Sequence, residues 1–269
     1  MAGAIQEGLV SPDTVLNDVY GSIQVGDTKY EDVDPHPSTM TVREILQHSS
    51  NVGTIRVAAM LGKDRLDHYL RAFGFGVRTP LDFPGEADGI MLPLSAYNDT
   101  SMGSIPIGNG IAVTALQMLD VYATIANGGM ARPPRLVRAT IDAQGHTHDA
   151  PLAAPHEVVS PATAAQVTDM LRAVVDGGTG VKAKVAGYPT AGKTGTARKP
   201  PYEHPPYKYV ASFAGFAPAD NPRLAAIVVL DEPSGGSIFA ADVAAPVFRQ
   251  VMQYALTAER IPPTEPVGP

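Results

Sequence analysis

Ala191-Gly-Lys-Thr-Gly-Thr-Ala197, Tyr209-Val-Ala-Ser-Phe-Ala-Gly-Phe-Ala217 and Leu224-Ala-Ala-Ile-Val-Val-Leu230 follow one another near the end of the chain. Each is short, rich in strand-forming residues and bounded by turn formers, and each predicts a strand. The third is apolar throughout, as a strand buried on both faces should be. A closing helix follows over 240–256, with Val243, Val247, Val251 and Leu256 as its apolar positions. Residues 186–260 therefore predict sheet strands and a closing helix.

Upstream, residues 1–185 read as mostly helical with long loops. Ala2 to Gly8 resembles the tail of a helix closed by glycine, so the chain is expected to begin mid-domain. Residues 10–40 are turn-rich, a long loop with room for one short hairpin. Thr41-Val-Arg-Glu44 is a capping-box pattern that opens a helix running to about His48. Ser49-Ser50-Asn51 breaks it, Asn51 caps a second helix over 52–61, and Gly62 stops that one. Leu66, Tyr69, Leu70 and Phe73 mark a third helix, ending at Gly74. Residues 75–105 are loop-rich. Thr114-Ala-Leu-Gln117 opens another helix, which ends at Asn127-Gly128-Gly129. Short strands follow, turning at Gly145. Ser160-Pro161 starts a helix carrying Val167, Met170, Leu171 and Val174. Helices first and adjacent strands last predict an α+β fold with an antiparallel sheet flanked by helices, one domain over 1–269.

The composition narrows the function. The 269 residues carry a net charge of −7, which gives no bulk reason to bind nucleic acid or anionic lipid. There is no cysteine, so thiol catalysis, disulfides and Cys-ligated metals are excluded. No apolar run approaches the roughly 18 residues that span a bilayer.

Three motifs could carry chemistry. Thr194 and Thr196 would share one face of their strand, with Gly195 leaving the other bare. With Lys193, two hydroxyls and a cation make a site for a carboxylate; the plainer reading is a half-exposed strand. Ser49 and Asn51, at a break between helices, could both point into a cleft; the plainer reading is a helix cap. Gly187-Tyr-Pro-Thr-Ala-Gly-Lys-Thr194 matches the P-loop pattern, an alternative reading as an NTPase. A P-loop needs a helix directly after it, and Pro200, Pro201, Pro205 and Pro206 oppose one. His146 and His148 could touch a metal, but in a polar loop with no third ligand.

Taken in order, Ser49-Ser-Asn-Val-Gly53, Ile107-Gly-Asn-Gly-Ile-Ala-Val-Thr-Ala-Leu-Gln117, Ala126-Asn-Gly-Gly129, Ala191–Ala197, Phe213-Ala-Gly-Phe-Ala-Pro218 and Asp231-Glu-Pro233 resemble the class B penicillin-binding proteins. The nearest likeness is to the division-specific peptidoglycan D,D-transpeptidases of Gram-negative bacteria, and it covers essentially the whole chain. Ser49-x-Asn51 and Lys193-Thr-Gly correspond to the family's second and third motifs. The first, Ser-x-x-Lys, which carries the nucleophile, occurs nowhere in the 269 residues. The resemblance therefore implies a C-terminal part of a transpeptidase domain. The nucleophile, two N-terminal strands beside 224–230 and a membrane anchor would lie upstream.

By resemblance, the intact enzyme would cross-link stem peptides through a serine acyl-enzyme in septal wall synthesis, on the periplasmic face of the inner membrane. β-Lactams would acylate the same serine. The partners implied are the stem peptide, β-lactams and, through parts outside this chain, division-complex membrane proteins; no nucleic acid, cofactor or metal is implied. Ser49 would relay a proton to the leaving amine, and Asn51 would bond the substrate amide and the first-motif lysine. Lys193 would supply positive potential, Thr194 and Thr196 would hold the carboxylate beside Gly195, and the Thr196 N–H would be an oxyanion donor. Without the nucleophile the chain is expected to be inactive alone, a non-catalytic fragment.

Overall fold

In a computed structural model, residues 1–81, 83–200 and 205–266 are described. Pro201, part of the proline run invoked against a P-loop helix, lies outside them.

The helical part starts with α1 (Ala2–Gln6), closed by Gly8 at φ +65°. The segment after it contains one hairpin, β1 (Ser22–Val25) and β2 (Thr28–Glu31). Then α2 (Val42–Gln47) opens on the expected capping box, with Thr41 accepting from the Glu44 N–H. α3 (Asn51–Leu61) follows, and its cap corrects the sequence reading. Ser50, not Asn51, accepts from the Gly53 N–H and caps the helix. The serine hydroxyl reaches the third free N–H, and Asn51 becomes the first helical residue. α4 (Lys63–Ala72) and α5 (Ala115–Ala126) form as expected, the second with the Thr114–Gln117 capping box. α6 (Pro161–Gly177) is capped by Ser160, and it buries Val167, Met170, Leu171 and Val174.

The sheet comprises β3 (Ala191–Arg198), β4 (Tyr209–Ala217) and β5 (Leu224–Asp231), antiparallel, with β4 in the middle. Alternation along β4 divides the core. Ala211, Phe213 and Ala217 face one apolar cluster, and Phe216 faces the other. The first cluster is roofed by α7 (Ala245–Ala258) through Phe248, Met252 and Leu256. The second lies under α6 and includes residues of α1 and α3.

Three expectations change here. The closing helix is two: Ala240–Val243 is a separate turn, and α7 restarts with Pro246 in its first turn. A proline there has no N–H to continue the preceding helix, and its ring clashes with the carbonyl four back. The inward face of α7 is Phe248, Met252 and Leu256, while Val247 and Val251 are exposed. β5 is not buried on both faces. Val229 is 45% exposed, whereas the open outer edge is as expected: among the described residues no strand pairs with it. The P-loop reading also fails, because Lys193 and Thr194 sit inside a strand that runs on to Arg198. No helix N-terminus is there to receive phosphates.

Candidate active site

β3 is the other edge strand of the sheet, and its Lys193 reaches around that edge to the corner between α2 and α3. The Lys193 Nζ donates to Ser49 Oγ at 2.9 Å, joining residues 144 apart in sequence. The same ammonium lies 3.1 Å from the Thr194 carbonyl and 3.2 Å from Thr194 Oγ1. Burial strips it of water and pushes its pKa down to about 8.

Ser49 owes its placement to the join of two helices. It sits at φ +60°, the left-handed region where α2 is closed by backbone bonds from Ser49 to Leu46 and from Ser50 to Ile45. Glycine or asparagine is usual at such a position. A serine there is strained, a condition that gathers at functional sites. Ser50 turns inward and is buried, while Ser49 is exposed to the cleft. Asn51 turns its Nδ2 onto the Glu31 carbonyl at 2.8 Å, at the end of the β1–β2 hairpin.

On β3, Thr194 Oγ1 pairs with Thr179 Oγ1 at 2.9 Å. Thr179 was not singled out in the sequence as a site residue. It follows Gly177-Gly178, and Gly178 is needed because a Cβ there would stand 2.4 Å from the Gln47 carbonyl. That close approach lets the Thr179 N–H bond to Gln47 at 3.2 Å. The end of α6 thereby ties the end of α2 to β3. Thr196 Oγ1 accepts from the Ala240 N–H at 3.0 Å. Gly195 is not bare on its other face. It pairs with Ser212 on β4, whose Oγ would lie 2.8 Å from an added Cβ.

The structure thus brings Ser49, Lys193 and Thr194 together; Thr196 lies two residues further along β3 with its hydroxyl on the Ala240 N–H, and Asn51, two residues after Ser49, turns its side chain to Glu31. A cation of lowered pKa touching a serine hydroxyl, with threonine hydroxyls alongside, can bind a carboxylate and pass a proton through the serine. His146 and His148 are elsewhere. Both face Asp142 Oδ2, at 3.2 and 2.9 Å. Among the described residues no group of three or more metal-ligating side chains could hold a metal ion, and no helix is long and apolar enough to cross a membrane.

The family model described as the penicillin binding protein transpeptidase domain matches residues 1–253. PbpB, a penicillin-binding protein of Mycobacterium tuberculosis, is 39% identical over 282 positions, covering 100% of this chain and 41% of its own length. The peptidoglycan D,D-transpeptidase FtsI of Escherichia coli is 36% identical over 97% of this chain and 42% of its own. The chain spans about two fifths of the length of these curated relatives. The crystal structure of penicillin-binding protein 3 from Mycobacterium tuberculosis, complexed with aztreonam, superposes with a TM-score of 0.89 at 38% identity, over 99% of this chain and 62% of that one.

Proposed function

The chain belongs to the penicillin-binding-protein transpeptidase family, and from that premise we propose that it forms the cleft of a septal peptidoglycan D,D-transpeptidase working on the periplasmic face of the inner membrane. The observation that carries the reading is the 2.9 Å contact between Lys193 Nζ and Ser49 Oγ, which joins the strand motif to the helix-corner motif.

In the proposed reaction a serine Oγ attacks the carbonyl of the penultimate D-Ala of a stem peptide. The tetrahedral oxyanion is held in part by the Thr196 N–H. It collapses to an acyl-enzyme as the terminal D-Ala leaves, its amine taking a proton relayed through Ser49. An amine from a neighbouring strand then attacks the ester, forms the cross-link and returns the serine. Lys193 keeps positive potential beside Ser49. With the Thr194 and Thr196 hydroxyls it holds the terminal carboxylate, and Asn51 orients the peptide amide. β-Lactams would enter by the same route, and division-complex membrane proteins would engage other parts of the protein.

The 269 residues hold no Ser-x-x-Lys, so within this reading the attacking serine is not one of them. The chain by itself is then a non-catalytic fragment. Intact-mass measurement after benzylpenicillin treatment tests both statements. The 269-residue chain should show no adduct, and a natural protein carrying it together with a Ser-x-x-Lys serine should show one per chain. Ser49→Ala and Lys193→Ala in that longer protein should each slow acylation by about 10²-fold or more. Near-normal rates in both variants would remove Ser49 and Lys193 from the reaction.

A further inference from the structure

Behind the Ser49 corner, at the start of α3, lies a buried carboxylate. Asp32 follows β2, and its side chain is 4% exposed. Its Oδ1 accepts from the Asn51 N–H and from the Val52 N–H at 3.2 Å. Its Oδ2 accepts from Ser50 Oγ at 3.3 Å and lies 3.0 Å from His36 Nε2, a close approach without an aligned hydrogen bond. The His36 side chain is 5% exposed and packs edge-on against Tyr20. One carboxylate thus meets the first two free N–H groups of α3, while Ser50 takes the third. A helix start leaves four N–H groups without helical partners, and a side-chain cap ordinarily satisfies one of them. Here two act together, on the two or three residues that follow the strained Ser49.

We propose that Asp32, backed by His36, is a positioning residue: it fixes the Ser50–Val52 backbone so that Ser49 is held in its left-handed conformation against Lys193. Asp32 touches none of the proposed reacting groups and acts only through the corner. A strained residue persists only where its surroundings over-determine it. The α2 backbone bonds hold Ser49 from one side. From the other side the turn is held by Asp32, together with the Asn51 Nδ2 bond to Glu31. Without the carboxylate, the first turn of α3 can relax and take the strain out of Ser49, carrying its hydroxyl away from Lys193. A bond to an ionised acceptor is also about twice as strong as a neutral one. The charge itself therefore matters, and Asp32→Asn, which keeps the shape, is the informative change.

The kinetic arm of the test rests on the transpeptidase reading; the titration arm does not. In a full-length natural protein carrying this domain and its Ser-x-x-Lys serine, Asp32→Asn should lower the first-order rate of acylation by nitrocefin about tenfold or more. The dissociation constant of the pre-acylation complex should change by less than the rate does, because Thr194 and Thr196 are untouched. In the same variant the titration of Lys193, followed by NMR of the ¹³C-methylated amine, should move from its wild-type midpoint, since its Ser49 partner has shifted. If Asp32→Asn does not fold, His36→Gln carries the test with the same expected direction. A folded variant whose acylation rate and Lys193 titration both match wild type overturns the proposal. So does a rate loss that vanishes when the variant is restabilised by cooling or osmolyte, because that is a purely structural role. If the wild-type protein is not acylated at all, the transpeptidase reading fails, and the Lys193 titration alone still decides whether Asp32 sets the corner.

Discussion

The two sides of the cleft meet at the 2.9 Å contact between Lys193 and Ser49 and are held by different forces. The Lys193 side is a strand whose backing is apolar. Ala191 and Gly192 are buried, and an added Cβ at Gly192 would lie 2.6 Å from the Phe213 ring. Phe213 in turn packs on Phe248 of α7, with ring centroids 4.7 Å apart. The Ser49 side rests on a small apolar cluster of Val19, Met40 and Ile45. What shapes it is a set of polar contacts among Asp32, His36, Glu31, Ser50 and Asn51. Apolar packing is non-directional and scales with area, whereas hydrogen bonds are steep in angle and distance. Damage to the first side should therefore appear as lost stability, and damage to the second as lost rate.

The largest effect expected is on the apolar side. Phe213 is fully buried, so Phe213→Ala should cost about 3–5 kcal/mol, read from the denaturant midpoint at unchanged slope. A loss below about 1.5 kcal/mol would mean that the strand is not held by this core, and the contrast between the sides would collapse.

Next comes the charge at the junction. The pKa of Lys193 is pushed down to about 8 by burial, so its ammonium is lost in the folded protein before it is lost in the unfolded chain. Two signs follow. The unfolded state binds more protons between about pH 8 and the ordinary lysine value, so stability rises with pH across that window as the cost of a buried charge is relieved. Acylation by a carboxylate-bearing β-lactam should do the opposite. Its second-order rate should fall roughly tenfold per pH unit above about 8, because the neutral amine no longer holds the carboxylate. A rate that instead rises through pH 8 would make Lys193 a base rather than the cation assigned to it.

The same contrast explains what was legible in the sequence. The three strands, the sheet class, both capping boxes and the Ser160 cap were readable because period-2 alternation and local cap chemistry are written in neighbouring residues. The facing of α7 was misread because Val247 and Val251 keep helical spacing on the solvent side while Phe248 and Met252 turn inward; spacing gives a stripe but not its direction. At the site, Ser49 and Lys193 were legible as motifs, but their contact required a tertiary fold. Thr179, Asp32 and Glu31 were not legible at all. Their roles come from a close approach at Gly178 and from a loop that returns to the α3 N-terminus, and no local pattern encodes either.

A smaller effect separates the two caps of α3. Ser50→Ala removes the acceptor for the Gly53 N–H and one donor to Asp32, but leaves the Asp32 bonds to Asn51 and Val52. The expected cost is about 1 kcal/mol in thermal or denaturant unfolding, within the usual cap range. A cost above about 3 kcal/mol would show that Ser50 supports the whole corner and that Asp32 contributes little beside it.

The smallest effect isolates the strain in Ser49 itself. Ser49→Ala and Ser49→Gly both delete the hydroxyl that accepts from Lys193, so both should lose acylation to the same extent. They differ only in backbone. At φ +60° a residue with a Cβ is penalised by roughly 1–2 kcal/mol, and glycine is not. Glycine gives back about 0.5–1 kcal/mol through the larger freedom of its unfolded chain. At mid-range of these figures the glycine variant should be the more stable of the two by about 0.7 kcal/mol, a difference of about 2 °C in melting temperature. Equal stability would show that Ser49 relaxes out of the left-handed region in solution. The Asp32 side would then have no strain to hold, and the corner would be as tolerant as the strand across from it.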